Sequence, residues 1–332
     1  MRANYLWRVQ RGLTLVELMI AMTLGLVLIG GVTGVFLASQ QTYRVNQALS
    51  ELQENSRSAF QLIARDIRSA GFTGCTNSGT VANTINTGTA DDWWSNWSNG
   101  IQGFDDGGPV SAGGTAVLSP ARAANTDSVQ IMFGGGRSFN VVAHNATAAQ
   151  FQVNMAGHGM NDGDVVVACD PAHAAIFQVT NSNQANATIV HNTGTGTPGN
   201  CTQGLGWPVV CTATGTPYQF TANSMLFRFE SLVWYVAVNS RKTNSLYRVS
   251  LAGGAPIYEE VLEGVENIQF RYLRRNANDY QTATAIDAMG TVEWGRIVAV
   301  EVELTLSTTV NNTSLPKDLR VIRHVVNLRN RV

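Results

Sequence analysis

The stretch Arg11-Gly12-Leu13-Thr14-Leu15-Val16-Glu17-Leu18-Met19-Ile20 joins a short basic leader to a long apolar run that holds one acid near its start. From Leu13 to Ala38, Glu17 is the only ionisable side chain. About 26 residues at about 1.5 Å rise make roughly 39 Å of helix, enough to cross the hydrocarbon core of a bilayer with some tilt. A carboxylate inside such a helix costs on the order of 2.5–3.5 kcal/mol, so Glu17 is expected to have a partner, and one outside this chain. Arg2, Arg8 and Arg11 precede the run, which by the positive-inside rule keeps the leader cytoplasmic and sends the remainder across the membrane. An ordinary signal peptide fits less well, because its apolar region covers about 7–15 residues and ends at the cleavage site, whereas here the clearest junction precedes the apolar run.

Beyond Ala38 the chain turns polar, yet Val45, Leu49, Leu52, Ser56, Phe60, Ile63 and Ile67 keep a three-to-four spacing, which predicts that the helix runs straight on with one buried face. No proline interrupts it before Ala70, and Gly71 supplies a stop. Gly25, Gly30, Gly31 and Gly34 permit either close helix packing or nothing more than ordinary tolerance of glycine in a membrane helix. The buried face needs a sheet to pack on. Strands are predicted at 128–133, 164–168, 176–179, 225–238, 267–274, 297–306 and 320–328; in 297–306 strict alternation marks one buried and one wet face. Residues 73–125 and 181–216, rich in Gly, Ser, Thr and Asn, read as two long irregular insertions. Trp93, Trp94 and Trp97 in the first are either a small core that holds the loop down or a binding surface for a glycan or a partner protein.

The chain has 332 residues, 44% hydrophobic and 14% charged, with a net charge of -1, so no overall electrostatic pull toward nucleic acid is expected. Cys75, Cys169, Cys201 and Cys211 lie in the exported part, where disulfides persist. With no Cys-x-x-Cys pair and no metal-ligand spacing of histidines, neither a metal nor a cofactor is expected. Asn161-Asp162-Gly163-Asp164 lacks the spaced acids of a calcium loop and reads as a turn. Glu259, Glu260, Glu263 and Glu266 read as a solvated face, and no Ser/His/Asp or Cys/His pattern points to an enzyme.

The stretch Gly12-Leu13-Thr14-Leu15-Val16-Glu17-Leu18-Met19-Ile20-Ala21 resembles the processing site of type IV pilins and type II secretion pseudopilins. That resemblance implies cleavage by a prepilin peptidase after Gly12, N-methylation of Leu13, and pairing of Glu17 with the amine of a neighbouring subunit during assembly. Further along, 64–72 with Cys75, 163–167 with Cys169, 176–179, 262–270 and 326–331 resemble PilW-type minor pilins. Four cysteines allow three pairings, of which Cys75–Cys169 with Cys201–Cys211 is favoured. The expectation is an α+β, type IV pilin-like fold: leader 1–12, transmembrane and filament-core helix 13–38, amphipathic continuation 39–70, and a periplasmic β-rich domain 71–332 packed as an antiparallel sheet. The resemblance implies a minor pilin that co-assembles with other minor pilins and the major pilin on the inner-membrane assembly platform, with a pilus-tip adhesin as a further partner. It implies a location first in the inner membrane and then in the pilus. A J-type pseudopilin of type II secretion and a tip adhesin are the alternative readings.

Overall fold

A computed structural model describes residues 12, 14–75, 80–86, 93–97, 99–106, 118–194, 196–252, 255–307 and 320–331. Helix α1, Leu15–Ser69, runs unbroken for 55 residues, roughly 80 Å at about 1.5 Å per residue. It carries no proline. Gly71 adopts φ +71° just beyond its end, and the Gly71 N–H bonds to the carbonyl of Met132 in the sheet, so the chain leaves the helix already docked.

The strands are β1 Thr80–Asn83, β2 Ile101–Phe104, β3 Ser128–Asn145, β4 Gln150–Val153, β5 Val165–Cys169, β6 His173–Gln178, β7 Asn181–Asn183, β8 Thr188–Val190, β9 Met225–Val238, β10 Asn244–Ala252, β11 Ala255–Glu263, β12 Val265–Arg274, β13 Ile297–Leu306 and β14 Val321–Asn327, with a short helix α2 at Ala283–Asp287. Two sheets form where one was expected. In the larger, β1-β6-β5-β9-β3-β4-β8-β7 lie in order, β2 pairs with β3, and the β10–β11 hairpin is joined to β9. The smaller is β12-β13-β14. Pairing is antiparallel apart from β1 with β6, which is parallel.

The outer half of α1 packs where the two sheets meet. Ala48, Leu52, Ala59, Ile63, Ala64 and Ile67 are buried against Ile131, Leu232 and Trp234 of the larger sheet and Phe270, Val302 and Val326 of the smaller. The buried stripe is narrower in side-chain size than the sequence spacing suggested. Phe60 is only half-buried, stacked on His324 at 4.0 Å, while Ala48 and Ala59 let the helix approach closely. Two further apolar clusters fill the domain, one around Tyr235 and Val233, the other around Phe151, Phe177 and Phe220.

Candidate functional site

The N-terminal end of α1 is built by a reciprocal cap. The Thr14 hydroxyl oxygen accepts the Glu17 N–H at 3.3 Å, and the Glu17 carboxylate accepts the Thr14 N–H at 3.1 Å and its O–H at 3.2 Å. A glutamate three residues after a threonine cap reaches back over the first turn, which satisfies helix N–H groups that otherwise have no partner. These hydrogen bonds of Glu17 are local. Its charge is a separate matter, since no ion pair among the described residues engages it. Gly12 is exposed, and Leu13 lies outside the described residues.

From Leu15 to Leu37 the apolar side chains of α1 stand exposed, and none of the most apolar window is buried in the chain. The hydroxyls of Thr23 and Thr33 bond back to the carbonyls of Met19 and Ile29 at 3.1 and 2.7 Å, so neither needs water or a neighbour in a low-dielectric setting. A Cβ built at Gly25, Gly30, Gly31 or Gly34 meets nothing within 4 Å. These glycines therefore make no close approach within the chain. The inner half of the helix is a free apolar rod with one capped carboxylate at its tip.

At the other end the rod is fastened to the domain by Asp66, which sequence reading passed over as part of a motif. Its side chain is 4% exposed and accepts hydrogen bonds from Trp234 Nε1 at 3.1 Å and Arg248 Nε at 3.1 Å, with Arg65 Nε at 3.3 Å on its other oxygen. Three donors on one buried carboxylate make it the polar pin between α1, β9 and β10.

The helix thus has a capped acid at one end, an exposed apolar inner half, and an outer half pinned to the head. Residues 7–33 match the prokaryotic N-terminal methylation motif, and residues 233–329 match type IV pilus-assembly protein W. Over these two segments the chain is similar to type IV pilus-assembly proteins of the PilW type. The matched segments hold the start of the helix and the strands on which its outer half packs, including Trp234 and Arg248 but not Asp66. A comparison with curated proteins finds no match. The two matches, together with the exposed apolar helix, support a membrane-anchored component related to type IV pili.

Cys75 is joined to Cys169 and Cys201 to Cys211. The first ties the chain leaving α1 to β5; the second closes a ten-residue separation. Trp93 and Trp94 are each 3% exposed and packed in the cluster around Tyr235, where Gln130 donates to the Trp93 carbonyl at 2.9 Å. Burial of both rings removes them as a surface, correcting the binding-surface reading; they anchor the insertion. Trp97 is half-buried, with its ring 6.2 Å from that of Phe229, and lines a cleft.

The other candidate clusters are accounted for structurally. Asn161–Asp164 forms a turn with Gly163 at φ +89°, and Asp164 is held by Arg228 at 3.0 Å. Glu259, Glu263 and Glu266 pair with Arg248, Arg241 and Arg320, and Glu260 accepts from Ser245 and Asn239. Among the described residues no group of three or more His, Cys, Asp or Glu is placed to hold a metal.

One cluster was invisible in the sequence. His144 on β3 and His191 after β8 come together with their Nε2 atoms 3.2 Å apart, enclosed by Phe151, Phe177 and Phe220. His144 Nδ1 accepts the Phe220 N–H, so its proton is on Nε2 and is donated to His191. Burial in this aromatic nest lowers the pKa of His144 from 6.5 to about 4 and that of His191 from 6.5 to about 3. Unfolded histidines titrate near 6.5, so between there and about 4 the unfolded state binds more protons, and stability is lost as pH falls through that window. Asp127, raised by burial from 3.8 to about 6, and Glu230, also raised by burial, work in the opposite direction. With two histidines lowered this far, the expected net effect from pH 7 to pH 5 is a loss of stability. Replacing both histidines with phenylalanine and asparagine combinations that keep the nest folded should flatten the profile in chemical denaturation; an unchanged slope between pH 7 and 5 would contradict the assignment.

Proposed function

We propose that this protein is a minor pilin that co-assembles with other minor pilins to initiate a type IV pilus at or near its tip, with an effect on twitching, attachment or DNA uptake. The observation that carries this is the rod: an apolar helix half that touches nothing in its own chain, ends in a capped carboxylate, and is pinned to a large two-sheet head. Such a surface is satisfied by lipid before assembly and by neighbouring helices after it. Residues 1–12 are the cytoplasmic leader removed by a prepilin peptidase, residues 13–38 the segment that passes from membrane to filament core, and residues 71–332 the periplasmic head. Partners are the other minor pilins, the major pilin and the inner-membrane assembly platform.

A J-type pseudopilin of type II secretion would carry the same rod, and the PilW-type match at residues 233–329 favours the pilus. Deletion of the gene should abolish twitching and surface pili and leave secretion intact, and mass spectrometry of sheared filaments should recover the protein with other minor pilins. Loss of secretion with normal twitching would select the pseudopilin reading instead. The mature protein in those filaments is expected to begin at Leu13, measured by intact mass; retention of Met1, or a start beyond Ala38, would end the pilin reading.

A further inference from the structure

The two irregular insertions and the last residues of the chain converge on one cleft of about 1050 Å³ beside the end of α1. Trp97 comes to it from the first insertion. Trp207, 56% exposed, comes from the loop closed by Cys201–Cys211. Arg275, Arg296 and Arg331 add three guanidiniums, and no acid is among the described residues that line it.

Two of these charges, Arg275 and Arg331, are held in place by backbone carbonyls. Arg331 donates to the Trp294 carbonyl and Arg275 to the Arg331 carbonyl, while the Arg275 N–H bonds to the Arg296 carbonyl at 2.8 Å. Among the described residues, Arg296 alone of the three has a carboxylate, Glu293 at 3.1 Å, which it shares with Arg274. Gly71 clears the space: a Cβ there would stand 3.2 Å from Arg331 Nη2. Burial and the neighbouring Arg275 lower the pKa of Arg331 to about 10, which leaves it charged at any physiological pH. Two neighbouring guanidiniums whose partners among the described residues are carbonyls leave room for an anion.

The shape selects among anions. A lone phosphate would use the arginines but neither tryptophan nor most of the volume, which lies at the upper end of the range of about 300–1000 Å³ for small-ligand sites. Nucleic acid gains affinity from many phosphates along a basic track, and three cations in one pocket of a chain with net charge -1 supply no such track. Sugar rings have apolar faces suited to tryptophan, hydroxyls suited to amides such as that of Asn276 at the rim, and in acidic sugars a planar carboxylate suited to a guanidinium. We propose that this cleft is a binding site for a carboxylate-bearing oligosaccharide, with Arg275, Arg296 and Arg331 on the carboxylate and Trp97 and Trp207 against the rings. The inference rests on the cleft and not on the filament role, so it stands or falls separately.

The test is tryptophan fluorescence titration of the full-length protein in detergent with trigalacturonate and 3′-sialyllactose, against neutral maltotriose and lactose and a hexathymidylate oligonucleotide. At least one acidic saccharide should bind, about tenfold or more tighter than its neutral counterpart, and the pair of probes separates a uronate polymer from a sialylated glycan as the source. Arg275→Gln with Arg296→Gln, both exposed, and separately Trp207→Ala, should each weaken binding by about tenfold or more at an unchanged melting temperature. The proposal is overturned if neither acidic saccharide binds, if neutral and acidic sugars bind alike, if the oligonucleotide binds more tightly than both, or if the folded variants bind as the parent does.

Discussion

Glu17→Ala is expected to leave the protein inserted, cleaved and folded while its incorporation into filaments falls by an order of magnitude or more. The side chain is at the start of α1, some 50 residues from Asp66 and the buried face, so the sheets and disulfides do not depend on it. Removing an intramembrane charge eases insertion if anything. In the proposed assembly role, what is lost is the counter-charge for the N-terminal amine of a neighbouring subunit, and an uncompensated buried cation costs roughly 3–5 kcal/mol. The cap complicates this substitution, because alanine also loses the bond to the Thr14 N–H, worth about 1 kcal/mol. Glu17→Gln separates the two contributions. Glutamine serves at the same capping position but carries no charge, so it should fail in assembly as alanine does. The readout is tagged variant in sheared pili relative to the inner membrane. Normal incorporation of the glutamine variant would show that the cap, and not the charge, is what assembly uses.

Asp66→Ala should destabilise the head by about 3 kcal/mol, because it leaves the Trp234 indole N–H and the Arg248 guanidinium without their acceptor in a buried setting. For a domain of this size that corresponds to roughly 6–12 °C in Tm. Arg248 keeps a second carboxylate, Glu259 at 3.6 Å, which is why the expected loss is at the lower end for a broken buried pair. Asp66→Asn retains an acceptor for the indole and should fall between. Hydrogen exchange should locate the damage: amides of 56–69 in α1 should exchange faster in Asp66→Ala, whereas those of β5 and β6, far from the pin, should change only by the global amount. A loss within about 0.5 kcal/mol of zero would mean that apolar packing alone fastens the helix.

Legibility differed from element to element for physical reasons. Strands β9 and β13 were read at their observed bounds, Met225–Val238 and Ile297–Leu306, because long runs of apolar and β-branched residues declare a sheet locally. The β10–β11 hairpin went unread although Gly253-Gly254 separates the two runs, itself a hairpin signal. Its charged outer residues, Arg248, Glu259 and Glu260 among them, hid the alternation. The short strands β1, β2, β7 and β8 have three or four residues each and exist only because a neighbouring strand supplies their hydrogen bonds, which no local pattern records.

The sequence by itself determined that a basic segment precedes an apolar helix holding a single acid, that this helix continues as an amphipathic rod, and that β-rich sequence follows. Each of these is written in charge, length and periodicity along the chain, where the controlling interactions are between near neighbours or with solvent and lipid. The tertiary structure alone decided what was made of residues far apart. Asp66 meets Trp234 and Arg248 across separations of 168 and 182 residues, His144 meets His191 across 47, and Trp97, Trp207 and Arg331 come to one cleft from two insertions and the end of the chain. Trp93 and Trp94, four and three positions from Trp97, went into the core while Trp97 stayed at its edge. A residue's type sets what its burial costs or gains, but which residues share a buried volume depends on how the sheets close over one another, and that is a property of the whole fold.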